Sequence, residues 1–280
     1  LEEITMSATQ LDKGNAFLAL HRGPRTFIVA NAWDAGSARI MAGLGFSAIG
    51  TSSWASANVY GRRDHGITRE QALAHARAIS DATDLPVSAD FENGFAATPR
   101  EVAEAYRQAA AAGLVGASIE DAPHGPDNDM LFDIGEATER VAAAVEATRK
   151  LGFPFLLTAR ADGFLHGHTN LDDAIRRLQA YEKAGADVLM APGLPDLDSV
   201  KAVCAAITKP FNFMVGIPGK SFRLAELEAV GVRRISLASS LYSAAMSALV
   251  AAAREAKEKG TFVYVDTSPG CWELDRYMLA

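Results

Sequence analysis

Two carboxylates stand two positions apart at the close of an apolar run in VSADFENGF, residues 87–95, with Gly94 just after them. In that pattern Asp90 and Glu92 can hold a metal ion, work as an acid/base pair, or cap the next helix. Alternate residues of a strand face the same side, so a strand here would aim both carboxylates one way. Glu120 ends a second apolar run, GASIE at 116–120, and Arg160 ends a third, FLLTAR. Carboxylates gathered without an equal set of cations repel one another, and a hard divalent cation relieves that. Mg²⁺ prefers oxygen ligands, takes one or two carboxylates directly and keeps several waters. The plainer alternative has Asp90 and Glu92 capping a helix or pairing with Arg100, but Thr98 offers the better cap. An arginine at the end of an apolar run is costly to bury alone. Arg160 either pairs with Asp162 or Glu120 or offers its planar fork to an anionic substrate. The substrate role is preferred, because the residue shares its place with the acids.

The elements that would position these groups are legible as two alternating patterns. Short apolar runs recur at 26–30, 46–51, 85–90, 116–120, 153–160, 186–191, 210–215 and 233–238, each bounded by Gly, Pro or Asp. Their nearly continuous apolar character suits strands covered on both faces. Helical patterns lie between them. TPREVAEAYRQAAAAG at 98–113 has Thr98 as N-cap, Pro99 at the first helical position, Glu101 at capping-box spacing and Gly113 as exit. Similar patterns occupy 68–83, 171–187 and 197–207. Eight strands alternating with about eight helices predict a (β/α)8 barrel of TIM type, spanning about residues 15–260 of a single-domain chain of 280 residues. A doubly wound sheet is the runner-up, but the first strand–helix turn, NAWDAGSAR, has no G-x-G-x-x-G. Residues 261–280 form a C-terminal extension.

In a barrel the site lies at the C-terminal ends of the strands. That filter selects Trp33 after strand one, Thr51, Ser52 and Ser53 after strand two, Asp90 and Glu92 after three, Glu120 after four, Arg160 after five and Asn212 on seven. No G-x-S-x-G accompanies Ser52 and Ser53, so their backbone N–H groups are better candidates than their hydroxyls, as donors to a developing oxyanion. HGH at 166–168 and GIPGK at 216–220 read as loop residues, the latter lacking P-loop spacing.

The totals narrow the partners. With 34 acidic and 27 basic side chains the formal net charge is -7. No basic cluster offers the surface that nucleic acid requires. No apolar run is long enough to span a membrane. Two cysteines, Cys204 and Cys271, imply no disulfide framework and fit the cytoplasm. The start, LEEITMSATQ, lacks the basic and apolar segments of a signal peptide, and Met6 is a candidate natural start, with residues 1–5 foreign to the protein.

Four segments, in order, resemble one known group. GTSSWASANVYGRRD at 50–64, SADFENGF, ASIED at 117–121 and TARADGF at 158–164 are similar to the motifs of the isocitrate lyase / phosphoenolpyruvate mutase superfamily, over about residues 15–260. The resemblance implies a Mg²⁺-bound 2-oxo acid (Mn²⁺ as the alternative ion) and an enolate intermediate. It implies Asp90, Glu92 and Glu120 as metal-site carboxylates, and Asp64 as an acid reaching the metal through water. Ser52 and Ser53 would be backbone donors to substrate oxygens, and Arg160 the arginine for the substrate's anionic group. It also implies a homotetramer with exchanged C-terminal helices, or a homodimer. The departures are specific. The region EDAPHGPDNDMLFDIGEATER lacks the lyases' K-[KR]-C-G-H loop, and Ala122 stands where the mutases continue E-D-K. Tyr60 and His124 are then the side chains left as candidate acid or base. The expectation is a Mg²⁺-dependent carbon–carbon lyase or decarboxylase acting on a small 2-oxo or 2-hydroxy dicarboxylate. The alternatives are P–C bond chemistry on phosphonopyruvate, or a metal-dependent oxo-acid binding protein with little turnover.

Overall fold

The computed structural model describes residues 8–123 and 130–278, so Met6 and His124, and the segment 124–129 as a whole, lie outside the described residues. Eight parallel strands close into a barrel in chain order: β1 Phe27–Asn31, β2 Ile49–Gly50, β3 Val87–Ala89, β4 Gly116–Glu120, β5 Leu156–Arg160, β6 Val188–Met190, β7 Phe211–Met214 and β8 Arg234–Ser236. Closure is direct, since β1 pairs with β2 through Ala30–Ile49 and with β8 through Val29–Ser236. The strands fall within the apolar runs of the sequence, β1 passing the end of its run by one residue.

Around the barrel lie α1 Gln10–Arg22, α2 Ala35–Gly43, α3 Ser53–Val59, α4 Arg69–Asp81, α5 Pro99–Ala111, α6 Ile134–Arg149, α7 Leu171–Lys183, α8 Leu197–Ala206, α9 Leu224–Ala229 and α10 Ser240–Arg254. Two short helices follow, α11 Tyr264–Thr267 and α12 Cys271–Asp275. Helix α5 begins as its capping box requires: Thr98 accepts from the Glu101 N–H, and the Glu101 carboxylate accepts from the Thr98 N–H at 2.9 Å. Its buried face is Val102, Ala105, Tyr106, Ala109 and Ala110. The main core is the shell between strands and helices, and a smaller one lies at the barrel's N-terminal end. Both cysteines are free thiols. No helix among the described residues is long and apolar enough to cross a membrane.

Helix α1 closes the N-terminal end of the barrel. Phe17 is wholly buried there with Val29, Ala48, Val115, Leu156 and Val188. The helix seats closely because Gly14 leaves room for the Pro154 carbonyl, which would stand 2.5 Å from any Cβ at that position. His21, one turn beyond Phe17, packs edge-on against Phe17 and Phe27 and bonds the Phe17 carbonyl through Nδ1 at 2.8 Å.

The C-terminal extension returns to its own barrel at its end. Arg39 Nε donates to the Tyr277 carbonyl at 2.8 Å, and the Tyr277 ring lies where a Cβ on Gly43 would stand. Between α10 and that contact, Phe262, Val263, Val265 and Trp272 are exposed.

His21 makes stability depend on pH. Burial, reinforced by the Arg234 charge, pushes its imidazole down to about 3. The unfolded chain binds a proton near the ordinary value of about 6.5. Stability is therefore full above that value and falls as the pH drops toward 3. His75, also lowered by burial, acts in the same direction. At pH 5 the loss due to His21 is about 2 kcal/mol. Urea unfolding at pH 7 and pH 5 should show a smaller fall in His21→Gln than in the parent. An equal fall would remove His21 as a cause.

Candidate active site

The C-terminal rim is organised around one guanidinium. Arg160 ends β5 directly beside Glu120, the last residue of β4. Its Nη1 lies 2.9 Å from Asp90 Oδ1 and 3.2 Å from Glu120 Oε2. Its Nε and Nη2 grip Asp162 at 3.0 and 2.6 Å. The pairings with Asp162 and Glu120 that the sequence offered as alternatives to a substrate role are thus present. All four side chains are largely buried, and the three carboxylates keep Arg160 protonated far above any working pH despite its burial. Burial pushes Asp162 up to about 7, against the pull of Arg160.

Asp90 is held from every side. Burial alone would raise its pKa, but Arg160, the Ser53 N–H at 3.1 Å and the Ser118 hydroxyl at 3.2 Å outweigh that and keep it below the ordinary carboxylate value. Its own N–H donates to Thr51 Oγ1 at 3.0 Å. Ser118 escaped the sequence reading, although it sits two residues before Glu120 on β4 and so faces the same side.

Glu92 reaches the site by a different route from the one expected. Strand β3 ends at Ala89, and Glu92 stands in a turn with its backbone in the left-handed region, φ 51°. Strand alternation therefore does not aim it. The turn does, and Glu92 Oε2 lies 3.1 Å from His65 Nδ1. His65 also lies 3.8 Å from Asp64. Burial raises Asp64 above its ordinary value, and the charges of Asp90 and Glu92 add to that while His65 opposes it. A left-handed glutamate persists only where its surroundings over-determine it. Arg140, buried on α6, supplies that constraint. Its Nη2 donates to the carbonyls of Asn93 at 2.9 Å and Ala96 at 2.7 Å, and its Nη1 to Ala97 at 3.2 Å. Phe91 packs edge-on against Phe95 and Tyr106 beneath the turn.

The remaining candidates scatter. Thr51 lines the cavity at the barrel mouth with Asn31, Asp90 and Arg160. Ser52 caps α3, its hydroxyl accepting from the Ala55 N–H at 3.4 Å, and the Ser53 N–H is engaged by Asp90. Trp33 packs edge-on against Tyr242 at the mouth, with ring centres 5.5 Å apart. Asn212 is the second residue of β7, not its end, and lies fully buried in the barrel interior. Tyr60 is turned from the cluster, its hydroxyl donating to the Gln71 carbonyl at 3.3 Å. His124 is outside the described residues.

No three His, Cys, Asp or Glu side chains among the described residues already converge as a metal cage. The donors at the rim are nevertheless carboxylate oxygens in surplus over cations, a set that suits Mg²⁺ bound through one or two of them and several waters. The charges of Asp90 and Glu92 are both felt at Asp64.

Truncating the Arg140 clamp strands buried carbonyls. Arg140→Met should lower stability by about 2–4 kcal/mol, read as the midpoint of guanidinium unfolding. An unchanged midpoint would show that the Glu92 turn holds itself.

The sequence model of the family described as phosphoenolpyruvate phosphomutase matches residues 17–257. An oxaloacetate decarboxylase of Chromohalobacter salexigens is 30% identical over 257 residues, covering 89% of this chain and 87% of that one. The crystal structure of a candidate lyase/mutase from Burkholderia cenocepacia J2315 superposes with a TM-score of 0.93 at 45% identity, over 97% of each chain. A phosphonopyruvate hydrolase solved with oxalate and Mg²⁺ gives 0.84 at 25% identity, over 95% of this chain and 94% of that one. With a closed barrel, four matching strand-end motifs and these similarities, the chain belongs to the phosphoenolpyruvate mutase/isocitrate lyase superfamily.

Proposed function

We propose that this protein is a Mg²⁺-dependent carbon–carbon lyase or decarboxylase acting on a small 2-oxo or 2-hydroxy dicarboxylate. The observation that carries the reading is the convergence of Asp90, Glu120 and Asp162 on Arg160 at the barrel rim. Its similarity to oxaloacetate decarboxylases supports the reaction class. The superfamily also holds a phosphonopyruvate hydrolase, which favours P–C chemistry as the second reading. Ala122, buried beside Asp121, gives that chemistry no cation at the position where the mutases carry lysine.

Asp90 would hold the ion directly, with Glu92, Glu120 and Asp64 reached through water; Mn²⁺ suits the same donors. When bound, the ion supplies a Lewis acid that draws charge from a substrate oxygen. The chain's own residues do the rest. Asp162 fixes the Arg160 fork through two bonds, so the guanidinium plane is set before a carboxylate arrives. Thr51 and the Ser53 N–H orient Asp90. The buried rim excludes bulk water from the charges it gathers. Tyr60 being turned away, His124 is the side chain to test for proton transfer.

A panel of 2-oxo and 2-hydroxy dicarboxylates, followed for pyruvate, glyoxylate, CO2 and phosphate, should yield a carbon–carbon cleavage product only with Mg²⁺. Phosphate released from phosphonopyruvate would instead support the second reading. Mg²⁺-dependent binding without any product would make the protein an oxo-acid binder. Asp90→Asn and Glu92→Gln should each weaken Mg²⁺ binding about 10–100-fold by calorimetry. Parent-like affinity in both would remove the metal assignment.

A homotetramer or homodimer belongs to the same proposal. Trp272 is 73% exposed, and Phe262 and Val265 are each 61% exposed, which is the kind of apolar surface that a subunit contact covers. Sedimentation should find more than one chain per particle, and a monomer at micromolar concentration would refute this.

A further inference from the structure

Beneath the rim the barrel holds a charge that the chemistry above leaves unused. Arg234 opens β8 and is 6% exposed. Its Nε donates to Asn212 Oδ1 at 2.7 Å, and its Nη2 to Thr158 Oγ1 at 3.0 Å. Its Nη1 lies 3.5 Å from His21 Nε2. His21 is no counter-charge, since its Nδ1 faces the Phe17 carbonyl and its pKa of about 3 keeps it neutral. Every partner of Arg234 among the described residues is thus uncharged. Burial pulls its pKa down to about 9 with no carboxylate opposing. A buried cation is ordinarily paired with an anion.

The space beside it is open, its wall mostly apolar (Val29, Met190, Met214) with a few hydroxyls set into it. A cavity of about 60 Å³ runs from Asp90 and Arg160 down to Arg234, with Ser88, Ser118 and Ser236 on its walls. Barrel interiors are usually filled by branched aliphatic side chains. Here Gly50 adds nothing to the wall, and a Cβ there would stand 3.0 Å from Val29 and Asn31. Ser236 Oγ accepts from Asn212 Nδ2 at 3.0 Å, which leaves its own proton to donate. Ser88, 8% exposed, lines the cavity, and its hydroxyl makes no hydrogen bond among the described residues. The space is large enough to admit bodies of water size.

We propose that this cavity is a binding site for a small inorganic monoanion of halide size, held by the Arg234 guanidinium and the hydroxyls of Ser88 and Ser236. The anion supplies the missing counter-charge, so it stabilises the barrel whether or not the rim holds a metal. A substrate carboxylate carries the same charge, and the test separates the two sources.

Crystals of the full chain grown in sodium bromide should show an anomalous peak within hydrogen-bonding distance of Arg234 and Ser88. Water alone at that place overturns the proposal. The peak should persist when oxalate is added, whereas displacement by oxalate assigns the cavity to the substrate site and overturns an inorganic one. In solution the parent should melt a few degrees higher in chloride than in gluconate of equal ionic strength, because gluconate is too large to enter. Arg234→Met should lose that difference. Equal midpoints for the parent in the two salts overturn the proposal, and this comparison and the bromide map decide the question even if the variant fails to fold.

Discussion

The rim depends on one ion-pair geometry: a single buried guanidinium shared among three carboxylates. Arg160 touches Asp90 just past β3, Glu120 at the end of β4 and Asp162 just past its own strand, with side-chain exposures of 20% or less throughout. At such burial the attraction between charges is strong, but so is the cost of taking each from water. The arrangement is favourable because nearly every donor on the guanidinium finds an acceptor and because hydroxyls and an N–H reinforce the acceptors. Removing Arg160 would leave three buried carboxylates without their shared cation. The carboxylates here outnumber the one cation that they share.

That geometry is held by a rigid frame on each side. Asp121, next to Glu120, accepts from the Asp162 N–H at 2.8 Å, Tyr181 at 2.6 Å and Arg177 at 3.0 Å, so it ties the end of β5 to α7. On the other side Arg140 pins the turn that presents Glu92. In both cases a buried polar side chain from the outer helices satisfies groups freed where a strand ends. The helices therefore cover the apolar strands and also set the positions of the acids at their tips.

The residues on either side of 124–129 adjoin this frame. The Phe132 N–H donates to the Asp121 carbonyl at 2.9 Å, and the Phe132 carbonyl accepts from Arg177 at 2.9 Å. Asp121 and Phe132 are thereby tied to the residues that orient Arg160, and Ala122 is buried beside them.

Local pattern was enough to read the barrel. Strands and helices announced themselves through period, caps and breakers, as at Thr98 and Gly113, because these depend on neighbours in the chain. The acids at strand ends were legible for the same reason, once a barrel was assumed: topology alone puts Asp90, Glu120 and Arg160 on one rim. What sequence could not carry was direction and partnership. Glu92 was expected to follow strand alternation, but a left-handed turn pinned by Arg140, 48 positions away, decides its aim. Tyr60 shares a motif with Asp64 yet points elsewhere, and Asn212 sits at the start of its strand rather than on the rim. Arg234 read as an ordinary strand residue, and only closure of the barrel over α1 showed it to be buried among neutral partners. Residue types and spacing thus determined the fold and the chemistry available at its rim. Which groups meet, and which charges remain unbalanced, was decided by tertiary structure, since both depend on contacts between strands and helices far apart in the chain.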